Sequence, residues 1–219
     1  MNRPARLATA VLTAFAALLL TACGSGGGDD TSSDKIKGAD TSGSSSPSPS
    51  VSASAEKNAP AFDFPSDVKV AVEREPTGDA TKDAILRDLA YSAQANLEAF
   101  SKGSGQTANM NRYFAVPALT YWGNRIAKVK KGGLTVTGDY RFYDFKVTDV
   151  ANGKTAAGRY CEDQRKAYGK EIKTGKVLRT KPSDKDFILN TFQVAKDARG
   201  DWQVVQQSWK KADASCVQG

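Results

Sequence analysis

The sequence predicts an α+β domain in which two to three N-terminal helices pack on a curved antiparallel sheet of four or more strands. Two observations support this prediction. Apolar residues recur at helical spacings of three and four in segments before residue 132, whereas from residue 134 onward they alternate with a period of two. Turn sequences separate the alternating segments, as expected for strands joined by hairpins. Helices followed by such strands favour packing on one antiparallel sheet.

Both predicted helices start and stop at residues suited to helix ends. A short edge strand or extended arm comes first, indicated by alternating valines (Val68, Val70 and Val72). Asp79 or Thr81 caps the first helix and Gly103 ends it. Its apolar face comprises Leu86, Leu89, Ala93, Leu97 and Phe100. After a polar loop at 103–109, a second helix starts near Pro117 with an apolar face of Leu119, Trp122, Ile126 and Val129.

Four strands follow the helices. The first begins at Leu134, and its apolar face switches between Phe142 and Tyr143, which predicts a bulge or a sharp bend. Asn152-Gly153 predicts a hairpin turn, after which the second strand spans about 155 to 166. Turns at 173–176 and 198–201 bound the last two strands, at 187–196 and 202–211.

The N-terminus has the features of an export signal. Two arginines precede an apolar run that ends in Leu20-Thr21-Ala22-Cys23, so residues 1–22 are predicted to be a signal peptide cleaved between Ala22 and Cys23. The cleavage site resembles the bacterial lipobox, which implies that Cys23 carries a lipid and anchors the protein on the extracytoplasmic face of the cell membrane. An ordinary signal peptide with a chance cysteine is the alternative. Residues 23–61 are rich in Ser, Gly and Pro, which predicts a disordered tether before a globular domain at 62–219.

Charge is concentrated in the globular domain. The chain carries a net charge of +7, and because residues 1–22 and 23–61 cancel, all of it lies on 62–219. A basic exported domain is attracted to anionic lipids or wall polymers, while export makes nucleic acid an unsuitable partner. One segment is a candidate polyanion site: Arg165, Lys166, Lys170, Lys173, Lys176 and Arg179. The alternative is a solvated hairpin whose lysines prevent edge-to-edge aggregation.

Cysteine and histidine content limits the chemistry. Cys161 and Cys216 are predicted to form a disulfide, because paired cysteines of exported domains most often do so. The chain has no histidine, which excludes the usual Ser-His-Asp and Cys-His catalysis and histidine-based metal sites. No metal or cofactor is expected.

Several segments together resemble the NTF2-like fold, and more narrowly the NTF2-like lipoproteins of actinobacterial envelopes. They are the first helix, Lys131-Gly132-Gly133-Leu134, Tyr160-Cys161-Glu162-Asp163 and Gly200-Asp201-Trp202-Gln203-Val204. This resemblance implies a cone with an open pocket, and a monomer or a homodimer formed through the sheet. The side chains expected to line the pocket, or otherwise a plain core, are Trp122, Tyr140, Phe142 and Trp202.

Three functions are compatible with this resemblance. The first expectation is a non-catalytic protein that binds a small apolar or amphipathic envelope molecule in the cone. The second is a protein-interaction or polyanion-binding module that uses the 165–185 hairpin. The third is a ketosteroid-isomerase-like enzyme, since such members of the fold pair a carboxylate base with an acidic hydroxyl. Its candidate bases are Asp144, Glu162 and Asp163, and its candidate donors are Tyr140, Tyr143 and Tyr160.

Overall fold

The computed structural model describes residues 58–217. The predicted signal peptide, the lipidation of Cys23 and the tether up to residue 57 lie outside the described residues. The helices are α1 (Ala80–Lys102), α2 (Ala108–Tyr113), α3 (Ala118–Lys131) and α4 (Ala214–Val217). The strands are β1 (Val68–Val72), β2 (Leu134–Ala151), β3 (Thr155–Glu171), β4 (Val177–Leu178), β5 (Phe187–Lys196) and β6 (Trp202–Lys211). None of the helices within 58–217 combines the length and the hydrophobicity needed to cross a bilayer.

All six strands belong to one curved sheet, and this confirms the predicted α+β class. The strand order is β1-β2-β3-β5-β6, and the short β4 pairs with the end of β3. β1 runs parallel to β2 at one edge, and every other pairing is antiparallel. Helices α1 to α3 pack against one face of the sheet. This is the cone layout that the resemblance to the NTF2-like fold implies.

Helix α1 begins and ends where the sequence predicts. The Asp79 carboxylate accepts hydrogen bonds from the backbone N–H groups of Thr81 and Lys82, at 2.8 and 3.0 Å. At the other end, Gly103 adopts a left-handed conformation with φ of +62°. The apolar stripe between these caps is buried, and Leu86 and Leu89 are each only 1% exposed. Packing of this stripe on the sheet forms the main core.

The pairing of β2 with β3 is irregular at three places: between Asp139 and Arg141, between Tyr143 and Lys146, and between Val147 and Asp149. The second is a bulge that lies two residues beyond the predicted position between Phe142 and Tyr143. Two residues of β2, Asp144 and Phe145, lie opposite the single residue Tyr160 of β3, and Asp144 has a φ of +51°. The bulge returns Phe145 to the core face, while Tyr143 lies on the opposite face. Nearer the start of the strand, Gly138 has a φ of +100°. These irregularities accompany the curvature of the sheet around α1.

Some elements differ from the sequence prediction. α2 was expected to be loop at its start, and its six residues are too few to show a helical period. β3 continues to Glu171, five residues beyond the predicted end, because its last residues pair with the start of β2. β4 and α4 were not predicted at all. Each is shorter than five residues, and the apolar pattern cannot define so short an element.

The predicted disulfide is confirmed and lies on the outer face of the sheet. Cys161 of β3 bonds to Cys216 of α4, across a sequence separation of 55 residues. Both cysteines are completely buried in a small cluster with Tyr143 and Phe187. The Tyr143 hydroxyl donates a hydrogen bond to the Cys216 carbonyl. Strand alternation places this cluster on the side of β3 opposite to Tyr160 and the main core.

Candidate functional site

A cavity of about 320 Å³ opens between the helices and the sheet. Its walls come from α1 and α3 on one side and from β2, β3, β5 and β6 on the other. The apolar and aromatic part of the lining is Ala93, Leu97, Phe100, Trp122, Val136, Tyr140, Phe142, Tyr160, Ala167, Tyr168, Ile188 and Trp209. Three of the four predicted pocket residues, Trp122, Tyr140 and Phe142, are among them.

The fourth predicted pocket residue, Trp202, does not line the cavity. It is the first residue of β6 and is 1% exposed, packed in the core. Its backbone N–H donates to the buried Asp88 carboxylate at 2.8 Å. The tryptophan of β6 that reaches the cavity is Trp209, which is 41% exposed.

A bulge in β6 explains why Trp209 replaces Trp202. Val204 and Gln206 pair with consecutive residues of β5, so Val205 is the extra residue. Before the bulge, even-numbered residues such as Trp202 and Val204 face the core. After it, odd-numbered residues face the cavity: Gln207, Trp209 and Lys211. Sequence reasoning missed these three residues, because the strand carries no glycine or proline to mark the bulge.

One predicted carboxylate faces the cavity, and that is Glu162. Asp163 is the next residue of β3 and therefore points to the other face, where its carboxylate lies 2.7 Å from Arg165. Asp144 pairs with Arg159 at 2.8 Å and with Lys146 at 2.7 Å, away from the cavity. Of the three candidate bases, the structure therefore places only Glu162 at the cavity wall.

The candidate hydroxyl donors divide in the same way. Tyr140 and Tyr160 line the cavity, whereas Tyr143 lies on the outer face beside the disulfide. Burial raises the pKa of both the Tyr140 and the Tyr160 phenol, and nearby Glu162 raises them further. Both phenols are therefore protonated at neutral pH and present hydroxyl groups in the same cavity as the carboxylate.

Three side chains, beginning with Trp122 of α3, lead to Glu162 in a directional chain of hydrogen bonds. The Trp122 indole N–H donates to Gln207 Oε1 at 2.8 Å. The Gln207 amide then donates to Asn190 Oδ1 at 3.0 Å, and the Asn190 amide donates to Glu162 Oε2 at 3.4 Å. Because an indole can only donate, Trp122 sets the orientation of both amides. Gln164 donates to the other carboxylate oxygen, Oε1, at 2.6 Å.

The surroundings of Glu162 favour its protonated form more than water would. Burial raises the pKa of Glu162, while the hydrogen bonds from Gln164 and Asn190 and the charge of Lys211 oppose this rise without cancelling it. Asn96 of α1 also lines the cavity, and its buried Nδ2 has no hydrogen-bond partner among residues 58–217. The polar wall therefore combines a carboxyl group with a raised pKa, three bonded amides and one buried amide donor without a partner.

Replacing Glu162 by glutamine is expected to stabilise the domain at neutral pH. A glutamine keeps the size of the side chain and removes a charge that burial disfavours. Its carbonyl can accept from Asn190, and its NH2 group can donate to the Gln164 carbonyl once that amide turns over. Single stabilising substitutions commonly add about 1 kcal/mol. For a domain of this size, the midpoint of thermal unfolding should rise by about 2–4 °C. Differential scanning calorimetry at neutral pH measures this shift.

The same variant should lack the part of the pH dependence of folding stability that Glu162 causes in the wild type. The folded wild type holds the Glu162 proton more tightly than the unfolded chain does, so its stability falls as pH rises above 4.5 toward the raised pKa. Glu162→Gln lacks this decline, and Glu75→Gln, at an exposed glutamate, should retain it. An equal pH slope in all three proteins would show that Glu162 keeps its ordinary pKa.

The six residues of the candidate polyanion site do not form one free basic patch. The Arg165 guanidinium pairs with Asp163, and the Lys170 amine pairs with Asp67. The Arg179 guanidinium lies 5.0 Å from the centre of the Tyr168 ring. No carboxylate between residues 58 and 217 pairs with the remaining three, Lys166, Lys173 and Lys176. A ring contact leaves the charge of Arg179 in place, so polyanion binding by this hairpin stays a prediction that depends on Arg179 and these three lysines.

Within the described part of the chain, no three Cys, Asp or Glu side chains gather into a set that could hold a metal ion.

Comparison with known proteins gives the fold a context. No family model and no curated protein matches the chain. A ketosteroid isomerase-like protein from Erwinia carotovora atroseptica is similar in structure at 18% identity, over 58% of this chain and 96% of that one, with a TM-score of 0.39. A putative ketosteroid isomerase from Shewanella frigidimarina is similar at 13% identity, over 61% and 98%, with a TM-score of 0.32.

A third solved structure is a domain of unknown function with a cystatin-like fold from Nostoc punctiforme. It is 14% identical over 63% of this chain and 79% of that one, with a TM-score of 0.34. At these identities and TM-scores, the similarity assigns neither a substrate nor a reaction to this chain.

Proposed function

We propose that this protein is a non-catalytic binding protein whose cavity holds a small organic molecule with a largely apolar body. The observation that supports this proposal is an open cavity of about 320 Å³ with aromatic walls and one ordered polar wall. Small-molecule sites have volumes of about 300–1,000 Å³, apolar walls and a few fixed polar groups. The cavity has each of these properties.

The two kinds of wall have separate roles in the proposed binding. Aromatic rings such as Tyr160 and Phe142 supply apolar area, which provides most of the affinity for a small ligand. Glu162 and Gln164 supply hydrogen-bonding groups that orient the molecule.

The proposal includes a location for the protein. The Leu20-Thr21-Ala22-Cys23 sequence supports export and attachment of a lipid to Cys23. The lipid would hold the binding domain on the extracytoplasmic face of the membrane, where its ligand or partner belongs to the cell envelope. A disulfide in the domain is consistent with that compartment.

A second candidate function, proton transfer, is favoured by the position of Glu162. A carboxyl group with a raised pKa in the same cavity as two phenols is an arrangement suited to general acid–base chemistry. Binding is the better supported function because both Glu162 oxygens already accept hydrogen bonds from amides, which lower the basicity of the carboxylate.

Native mass spectrometry of residues 24–219, secreted from a bacterial host and purified without detergent, tests the binding proposal. We expect a reproducible additional mass on the wild type. Ala167→Phe should lose it, because the Ala167 side chain lines the cavity and a phenyl ring would occupy the space. The matched variant Ala127→Phe, on the exposed face of α3, should retain it.

Two results would contradict the proposal. One is a bare wild-type protein, and the other is the same extra mass on Ala167→Phe. Incubation in heavy water separates the two candidate functions. Deuterium that enters the bound molecule on the wild type, but not on Glu162→Gln, would indicate proton transfer at carbon and favour the enzyme.

A further inference from the structure

We infer that the ligand of the cavity is an anionic amphiphile, and that Arg125 binds its acidic group at the cavity mouth. The mouth is formed by Arg125, Trp209 and Lys211, which are exposed and also line the cavity. This inference rests on the proposed binding function and specifies its ligand class: a molecule with an apolar body and one carboxylate, sulfate or phosphate group.

Aromatic rings hold the Arg125 side chain in place. Its guanidinium carbon lies 5.6 Å from the centre of the Trp122 ring and 5.8 Å from that of the Trp209 ring. Tyr121 adds a third ring at 5.9 Å. Such contacts attract a cation to the ring faces without neutralising it. The guanidinium is therefore positioned before any ligand arrives.

The charge of Arg125 is not neutralised by the protein around it. No carboxylate of residues 58–217 forms an ion pair with it, whereas Arg112, Arg141, Arg159 and Arg165 each pair with an aspartate or glutamate. The amine of Lys211, also at the mouth, has no carboxylate within ion-pair distance in that part of the chain either. Two cations without paired carboxylates thus lie at the opening of one cavity.

The distribution of charge in the cavity orients the ligand. The only acidic side chain of the described lining is Glu162, which is held in the amide network and has its ionised form disfavoured by burial. An organic cation at the mouth would be repelled by Arg125 and Lys211. An anion there would form charge-assisted hydrogen bonds with Arg125, while its apolar body lies against the aromatic walls.

A matched pair of fluorescent dyes tests the inference. N-phenylnaphthylamine is neutral, and anilinonaphthalene sulfonate is the same dye with an added sulfonate. We expect Arg125→Gln to weaken binding of the sulfonate about tenfold, since hydrogen bonds to charged groups contribute at least that much. Its affinity for the neutral dye should stay within about twofold, which also shows that the variant is folded.

Control variants make the outcomes distinct. Lys128→Gln removes one positive charge from an exposed position of the same helix and should change neither affinity. If Arg125→Gln weakens both dyes equally, or neither, Arg125 does not recognise an anion and the inference is overturned while cavity binding stands. If neither dye binds, or both bind Ala167→Phe as well as wild type, the proposed binding function fails and the inference fails with it.

Discussion

Replacing Cys161 and Cys216 together by alanine is expected to lower the free energy of unfolding by about 3–4 kcal/mol. The bridge closes a loop between residues 55 positions apart, and a cross-link of that length restricts the unfolded chain by about this amount. Both sulfur atoms are completely buried, so their loss also removes apolar contacts with Tyr143 and Phe187. Urea denaturation of wild type and variant, followed by tryptophan fluorescence, measures the difference.

The disulfide should support the fold and leave the cavity intact. The bridge lies on the outer face of β3, whereas Tyr160 and Glu162 reach the cavity from the inner face. We therefore expect the double variant to bind the neutral dye as wild type does, well below its unfolding midpoint. Dithiothreitol should shift wild type to the midpoint of the variant and leave the variant unchanged. If dithiothreitol reduces the bridge in wild type, as shown by titration of free thiols, and the unfolding midpoint does not change, the disulfide does not stabilise the fold.

The second large effect is expected from Gly138→Ala. A Cβ atom at this position would lie 2.1 Å from the Lys166 carbonyl oxygen and 3.2 Å from the Ala167 Cα, and the φ of +100° is itself unfavourable for alanine. β2 and β3 would have to separate locally, at a cost of about 3 kcal/mol or more. Because Ala167 lines the cavity, dye binding should also weaken.

Gly153→Ala is the matched control for this prediction. Gly153 also has a positive φ, +65°, but a Cβ there would meet no atom within 4 Å. Gly153→Ala should lower the free energy of unfolding only by the cost of a left-handed backbone at alanine, about 1–2 kcal/mol. Thermal unfolding of both variants compares the costs. Equal destabilisation would show that close approach of β3 to Gly138 contributes nothing.

Patterns of neighbouring residues predicted most of the helices and strands, because helix caps, turns and the burial of one face depend on residues close in sequence. The α1 boundaries follow from the Asp79 cap and the glycine at 103, and the bounds of β5 and β6 follow from the period-two pattern between turns. The positions that local patterns assigned wrongly depend on pairing between strands. The extra residue Val205 in β6 exchanges the faces of that strand, so Trp202 was predicted for the cavity in place of Trp209.

The candidate site could be predicted only in part. The sequence offered Glu162 as a candidate base, and Glu162 shares a strand face with Tyr160. No feature of the neighbouring sequence showed that Glu162, and not Asp144 or Asp163, would face the cavity. That distinction depends on the bulge at Asp144 and on ion pairs formed by the fold. The neutralisation of Lys170 by Asp67, about a hundred residues earlier, is equally invisible in the sequence.

The chain of amides from Trp122 to Glu162 has a consequence for selectivity. Folding has already fixed which atoms donate and which accept along that wall, so an incoming molecule does not have to order them. Immobilising a flexible side chain costs about 0.5–1.5 kcal/mol on association. Gln207, Asn190 and Glu162 are already immobilised by their hydrogen bonds, so binding does not incur this cost for them. Molecules of similar size would thus be sorted by how well they complement a rigid template, with little adjustment by the protein.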